Sequence, residues 1–136
     1  MKYDGTLGEK LEPSLDADAY SADTNGQAVD CAGYEIAVVC VSFGDAAGGT
    51  VTFEVEESAN GSTGWTAVSG ASFVLNGATD DNTAHHGVVR CDGRERYLRV
   101  TSDHSASNAA DYSACVSLRR GSIGEQAAAD AAQFVV

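Results

Sequence analysis

From Gln27 onward, short runs rich in valine and aromatic residues are broken by Gly, Asn, Asp and Ser clusters every eight to twelve residues. Runs this short read as strands, because a helix needs a longer amphipathic stretch to bury one face. Tyr34–Phe43 is dense in β-branched side chains and bounded by Gly33 and Gly44. Its period-two faces are Glu35, Ala37, Val39, Val41, Phe43 and Ile36, Val38, Cys40, Ser42. Both are largely apolar. Either the strand is covered on both sides within the domain, or Ile36, Val38 and Cys40 meet another subunit. Thr50–Ser58 alternates cleanly, with Val51, Phe53 and Val55 against Thr52, Glu54 and Glu56, the pattern of a half-buried strand. Trp65–Val68, Ser72–Leu75, Gly87–Cys91, Arg96–Thr101 and Tyr112–Leu118 bring the expected total to seven or eight short strands. Asp92-Gly93 marks a tight turn between two of them. With no helix-length segment between strands, a parallel α/β fold is excluded. The expected class is all-β, an antiparallel β-sandwich or jelly roll.

A chain of 136 residues is one domain's worth. Residues 1–20 hold the lone proline, Pro13, show no persistent period and read as an N-terminal arm. Residues 21–120 form the sandwich, and 121–136 a C-terminal tail. In the tail, Ser122 and Glu125 fit a capping box, and the alanine-rich Gln126–Gln133 favours a short helix. So short a helix forms only if docked. The apolar Phe134, Val135 and Val136 invite docking on the domain itself or on a neighbour.

The net charge is −12, from 20 acidic and 8 basic residues. Residues 1–89 hold 14 acids against Lys2 and Lys10, while 90–136 hold 6 acids and 6 arginines. Such a surface repels phosphate, so nucleic acid is not an expected partner. The arginines are expected to offset acids within the fold or at a subunit contact. No apolar run is long enough to span a bilayer, and Met1–Glu12 has no apolar leader core. Synthesis in a reducing cytosol is therefore expected, with no membrane partner. The four cysteines, Cys31, Cys40, Cys91 and Cys115, contain no C-x-x-C pair. They read as buried free thiols or as disulfides formed after release from a cell, and spacing alone does not choose among three pairings.

Catalytic patterns are missing. No Gly-x-Ser-x-Gly and no phosphate loop occurs. Glu54 and Glu56 share a face as ordinary solvated residues do. His85 and His86 are adjacent, so on a strand they point to opposite faces, and a metal set with Asp80, Asp81 and His104 matches no known spacing. No enzyme activity, cofactor or metal is expected. In Arg94–Val100, inward Leu98 and Val100 would turn Tyr97 and Arg99 outward as an interface pair.

Taken in order, Ser21-Ala-Asp-Thr-Asn-Gly26, Val29-Asp30 with Gly33-Tyr34, Phe53-Glu-Val-Glu-Glu-Ser58, Trp65 with Val68, Gly87-Val-Val-Arg90 and Arg96-Tyr-Leu-Arg-Val100 resemble the head decoration, or cement, proteins of tailed bacteriophages. The resemblance spans about residues 20–120. It implies a β-sandwich, often a homotrimer, bound to the major capsid protein on the outer capsid surface of the virion. Ile36, Val38, Cys40, Tyr97, Arg99, Phe134, Val135 and Val136 are then the candidate interface residues. The cysteines and the alanine-rich tail lie outside the family's pattern. Arg96–Val100 also resembles a strand of galactose-binding jelly rolls. That implies a carbohydrate-binding module or adhesin as the alternative, with Trp65 and the tyrosines as sugar platforms. A phage tail or baseplate structural protein is the second alternative.

Overall fold

The computed structural model describes residues 9–120 and 132–136. In chain order its strands are β1 (Glu9–Tyr20), β2 (Thr24–Asn25), β3 (Val29–Asp30), β4 (Ile36–Ala46), β5 (Thr50–Ser58), β6 (Thr66–Asn76), β7 (Thr83–Arg90), β8 (Tyr97–His104) and β9 (Ala110–Arg119). They form two antiparallel sheets packed as a sandwich. The first has the order β1-β9-β4-β7. The second has the order β2-β8-β5-β6, with β3 also pairing β8. The expected all-β sandwich is what the chain forms, with nine strands among the described residues rather than seven or eight.

Alternation places the core. Ala37, Val39, Val41 and Phe43 of β4, with Tyr112, Ala114, Val116 and Leu118 of β9, face Val51, Phe53 and Val55 of β5 and Leu98 and Val100 of β8. A row of rings runs through this layer. Tyr20 stacks on Tyr112 at 4.5 Å, Tyr112 meets Phe53 edge-on at 5.0 Å, Phe53 lies 5.6 Å from Phe73, and Phe73 lies 6.3 Å from Phe134. Each such contact adds about 0.5–1.5 kcal/mol beyond the area it buries.

Three elements differ from the sequence expectation. The arm's residues 9–20 are not an arm: β1 pairs with β9 along its length, with register shifts between Pro13 and Leu15 and between Leu15 and Asp18. These shifts reset the side-chain alternation and hide the period-two signal. Pro13 is tolerated because β1 is an edge strand. Ser14 locks the strand down: its buried hydroxyl donates to the Gln27 carbonyl at 3.0 Å and accepts from the Val100 N–H at 2.9 Å. Second, the expected strands Trp65–Val68 and Ser72–Leu75 merge into one strand, β6, which starts just after Trp65 and bulges near Gly70 at φ +82°. Third, Asp92-Gly93 does turn the chain, but it carries β7 of one sheet to β8 of the other instead of closing a hairpin.

Most of the expected tail helix, Gln126–Gln133, lies outside the described residues. Beyond it, the chain runs alongside β7 as a short parallel segment. The Val88 N–H donates to the Phe134 carbonyl and the Val136 N–H to the Val88 carbonyl, both at 2.9 Å. Phe134 enters the core over Gly87, where a Cβ would collide with its ring. The Phe134→Ala substitution should therefore cost about 3–5 kcal/mol of stability in urea unfolding. Gly87→Ala should cost about 1–3 kcal/mol by overpacking. The double variant should lose clearly less than the sum, since removing the Phe134 ring makes room for the added methyl. Full additivity would place Phe134 outside the core.

Candidate functional site

The candidate interface residues do not share one face. Ile36 and Val38 lie on the outer side of the first sheet, where they pack with Val88, Cys40 and Ala132. At 2% and 4% exposure they are already covered within the single chain, so of the two readings of β4 the first holds and neither side chain is free for a neighbour. Cys40 is half-buried in the same row, opposite His86 of β7 and Cys115 of β9. These residues, with Ser42, Ser113 and Arg119, line a shallow groove of about 480 Å³. Phe134 is a core residue, Val136 rests against Gly70, and Val135 is 39% exposed.

Tyr97 and Arg99 project from the outer side of the second sheet, as expected once Leu98 and Val100 are buried. Neither is a loose interface side chain. The Tyr97 ring lies on Gly61, whose φ of +75° and closeness to the ring favour glycine, and the Arg96 guanidinium stands 5.2 Å from the ring centre. Arg99 sits directly opposite Glu56, bonds its carboxylate at 2.6 Å and 2.7 Å, and stacks 4.4 Å over Trp65. A guanidinium thus occupies one face of the tryptophan that the sugar-platform reading needs.

The other arginines behave likewise. Arg96 grips Asp30 with two bonds of 2.8 Å and 3.0 Å, Arg94 approaches Glu57 at 3.9 Å, and Arg119 approaches Glu9 at 3.7 Å. The arginine-rich C-terminal third therefore offsets acids on neighbouring elements. His85 and His86 diverge. His85 bonds Thr83 at 2.8 Å beside the core ring of Phe73, while His86 lies opposite Cys40. His104 is engaged elsewhere, by the Tyr112 hydroxyl at 2.8 Å. Burial pushes the Tyr112 hydroxyl up to about 12, while it donates to Ser102 at 2.7 Å. Among the described residues no group of three metal-ligating side chains converges.

What sequence reasoning missed is the cysteine pairing. Cys31 and Cys91 meet in the lining of one cleft, and Cys40 and Cys115 face each other across β4 and β9. The first pair lines a cleft of about 570 Å³ with Tyr34, Glu35, Arg90, Asp92 and Glu95. No spacing rule carries that pairing, because it arises only when the two sheets close.

The sequence matches no protein-family model, and no curated protein matches it significantly. Several solved structures are similar. The SPBc2 prophage-derived protein YomS superposes with a TM-score of 0.51 at 14% identity, over 79% of this chain and 92% of that one. A structure described as Bacillus endospore appendages forming a family of disulfide-linked pili gives 0.42 at 19% identity, over 81% of this chain and 92% of that one. PirA gives 0.39 at 15%, over 85% and 95%. At this identity, what the chain shares with YomS is a fold.

The Arg96 pair offers a direct check of the surface electrostatics. The guanidinium, helped by the Ala32 N–H, holds the Asp30 carboxyl at about 2 against an ordinary 3.8. A depressed carboxylate contributes stability that is present above its unfolded pKa and lost as pH falls from about 4 through about 2. A carbon-detected NMR titration should give Asp30 a midpoint near 2. Arg96→Gln should return it towards the ordinary value. An ordinary midpoint in the unaltered chain would show that the pair does not form in solution.

Proposed function

We propose that this chain is a capsid decoration, or cement, protein of a tailed bacteriophage or prophage. On this reading it binds the major capsid protein on the outer shell of the virion, as a homotrimer, and stabilises the shell. The observation that carries the reading is the sandwich shared with a prophage-derived protein over 79% of this chain. The segments that resemble decoration proteins fall within that same sandwich.

The surface suits the role. Leu11 on β1 is 68% exposed and Val74 on β6 is 57% exposed. Each stands on an edge strand, one per sheet, where a neighbour can approach. Each contact need bury only about 1,000–1,600 Å², because several contacts on a rigid lattice act together. The acid-lined outer side of the second sheet, with Asp23, Glu54, Glu56 and Asp103, would remain in water and keep particles apart.

The test is reconstitution. Capsids stripped of the protein should bind the purified chain saturably and burst at a higher temperature once coated. Leu11→Asp and Val74→Asp should keep the far-ultraviolet spectrum of the folded chain, since both positions are exposed, and at least one should weaken capsid binding more than tenfold. No binding to shells and no change in bursting temperature would end the proposal.

A further inference from the structure

Cys31 follows β3, which pairs with β8 of the second sheet, and Cys91 follows β7 at the edge of the first. The backbone anchors both. The Cys31 N–H donates to the Arg96 carbonyl at 2.9 Å, and the Cys91 N–H to the Glu35 carbonyl at 2.8 Å. Both side chains line the same cleft, and the ionisation of each thiol depends on the other. All four cysteines are free thiols. We propose that Cys31 and Cys91 form a thiol–disulfide exchange site, in which Cys91 attacks a small disulfide and Cys31 resolves the adduct, leaving a covalent staple between the two sheets. This inference is independent of the capsid reading.

The order of attack follows from access and charge. Cys31 is 5% exposed, whereas Cys91 is half-buried in the cleft wall. An incoming disulfide therefore reaches Cys91 first. The interaction between the two thiols lowers the Cys91 thiol and raises that of Cys31, and burial raises Cys31 further. The more accessible sulfur is thus also the one more readily ionised, and the thiolate is the nucleophile. In the first step the Cys91 thiolate attacks one sulfur of R–S–S–R, forms Cys91–S–S–R and expels R–S⁻, which takes up a proton. Cys31 then gives its proton to solvent, and its sulfur attacks the Cys91 sulfur. The bond to R breaks and a second R–S⁻ leaves and is protonated. Two protein thiols have lost two electrons, and one small disulfide has become two thiols. Glu35, Asp92 and Glu95 outnumber Arg90 in the cleft lining, so a cationic disulfide such as cystamine is the favoured oxidant.

Cys40 and Cys115 provide the contrast inside the same molecule. They are direct cross-strand partners within one sheet, and burial, with the neighbouring Cys115, pushes the Cys40 thiol up to about 11. A bond between them would join strands already laddered together, and their reaction is the slower one.

The reduced full-length chain is incubated with cystamine near neutral pH and mapped by mass spectrometry after cleavage at Glu and Asp, which separates Cys31 from Cys40 at Glu35. The first product should carry a Cys31–Cys91 bond with Cys40 and Cys115 still reduced. Its thermal midpoint should stand roughly 5–15 °C above that of the reduced chain and fall back on reduction. Cys31→Ser should trap the cystamine adduct on Cys91. Cys91→Ser should leave Cys31 unlabelled. A first bond between Cys40 and Cys115, a bond between chains, or labelling of Cys91 no faster than of Cys40 in the unaltered protein would overturn the proposal, whether or not either variant folds.

Discussion

The central strand β4 is apolar on both faces, and the rest of the sandwich is arranged to cover it. Its inner side chains, Ala37, Val39, Val41 and Phe43, are at most 1% exposed and meet the second sheet. Its outer side chains, Ile36 and Val38, are nearly as buried and meet Val88 and Ala132. A lone sandwich strand leaves one face wet. Burying both faces of β4 adds roughly 1.5–3 kcal/mol per large aliphatic side chain, but only if the chain supplies a second cover. The segment ending at Val136 contributes to that cover. Ala132 packs on the outer cluster, and two residues later Phe134 crosses to the inner one.

The same segment answers a backbone problem. An edge strand presents unpaired N–H and C=O groups that invite foreign strands. At β7 those groups are taken by residues 133–136, through four bonds of 2.7–2.9 Å. The opposite edge of that sheet, β1, is protected differently, by Glu9, Lys10, Glu12, Asp16 and Asp18 and by Pro13. Charge is also handled locally. Arg94, Arg96, Arg99 and Arg119 each pair with an acid far away in sequence, so the strongly negative chain carries cross-strand attraction where its strands meet. Exposed pairs of this sort contribute under about 1 kcal/mol each. Their larger effect is on register, because Arg99 meets Glu56 only when β5 and β8 are aligned as they are.

The strands with a clean period were legible. β5 and the buried part of β4 could be written down from Val51, Phe53, Val55 and from the Gly33 and Gly44 boundaries, because side-chain alternation maps directly onto burial. β1 was not legible, since two register shifts break its alternation and just Ser14 and Leu15 are buried. The Arg96–Val100 strand showed that Tyr97 and Arg99 point outward, but not that Glu56, Trp65 and Gly61 would engage them. Those partners come from β5 and the loop after it, and only the fold brings them near. The same holds for Cys31 and Cys91, some sixty positions apart, whose approach depends on a chain crossing between sheets.

The segments that carry the family resemblance are built largely from core positions: Phe53, Val55, Gly87, Val88, Leu98 and Val100 are all buried. A packed interior constrains such positions to a few residue types, because a methylene too many or too few is felt at once. A pattern of this sort therefore reports architecture before activity. Adhesion draws on the opposite class of position, exposed and free to vary, where Leu11 and Val74 stand out as large apolar side chains open to water. One exposed leucine means little by itself. Two apolar side chains on edge strands, one in each sheet of a rigid sandwich, have geometric meaning, because each lies where another backbone can approach without disturbing the core. A small gain at each is multiplied when copies sit on a shared lattice. On the decoration reading, the strength of the assembly comes from that repetition rather than from any single deep interface.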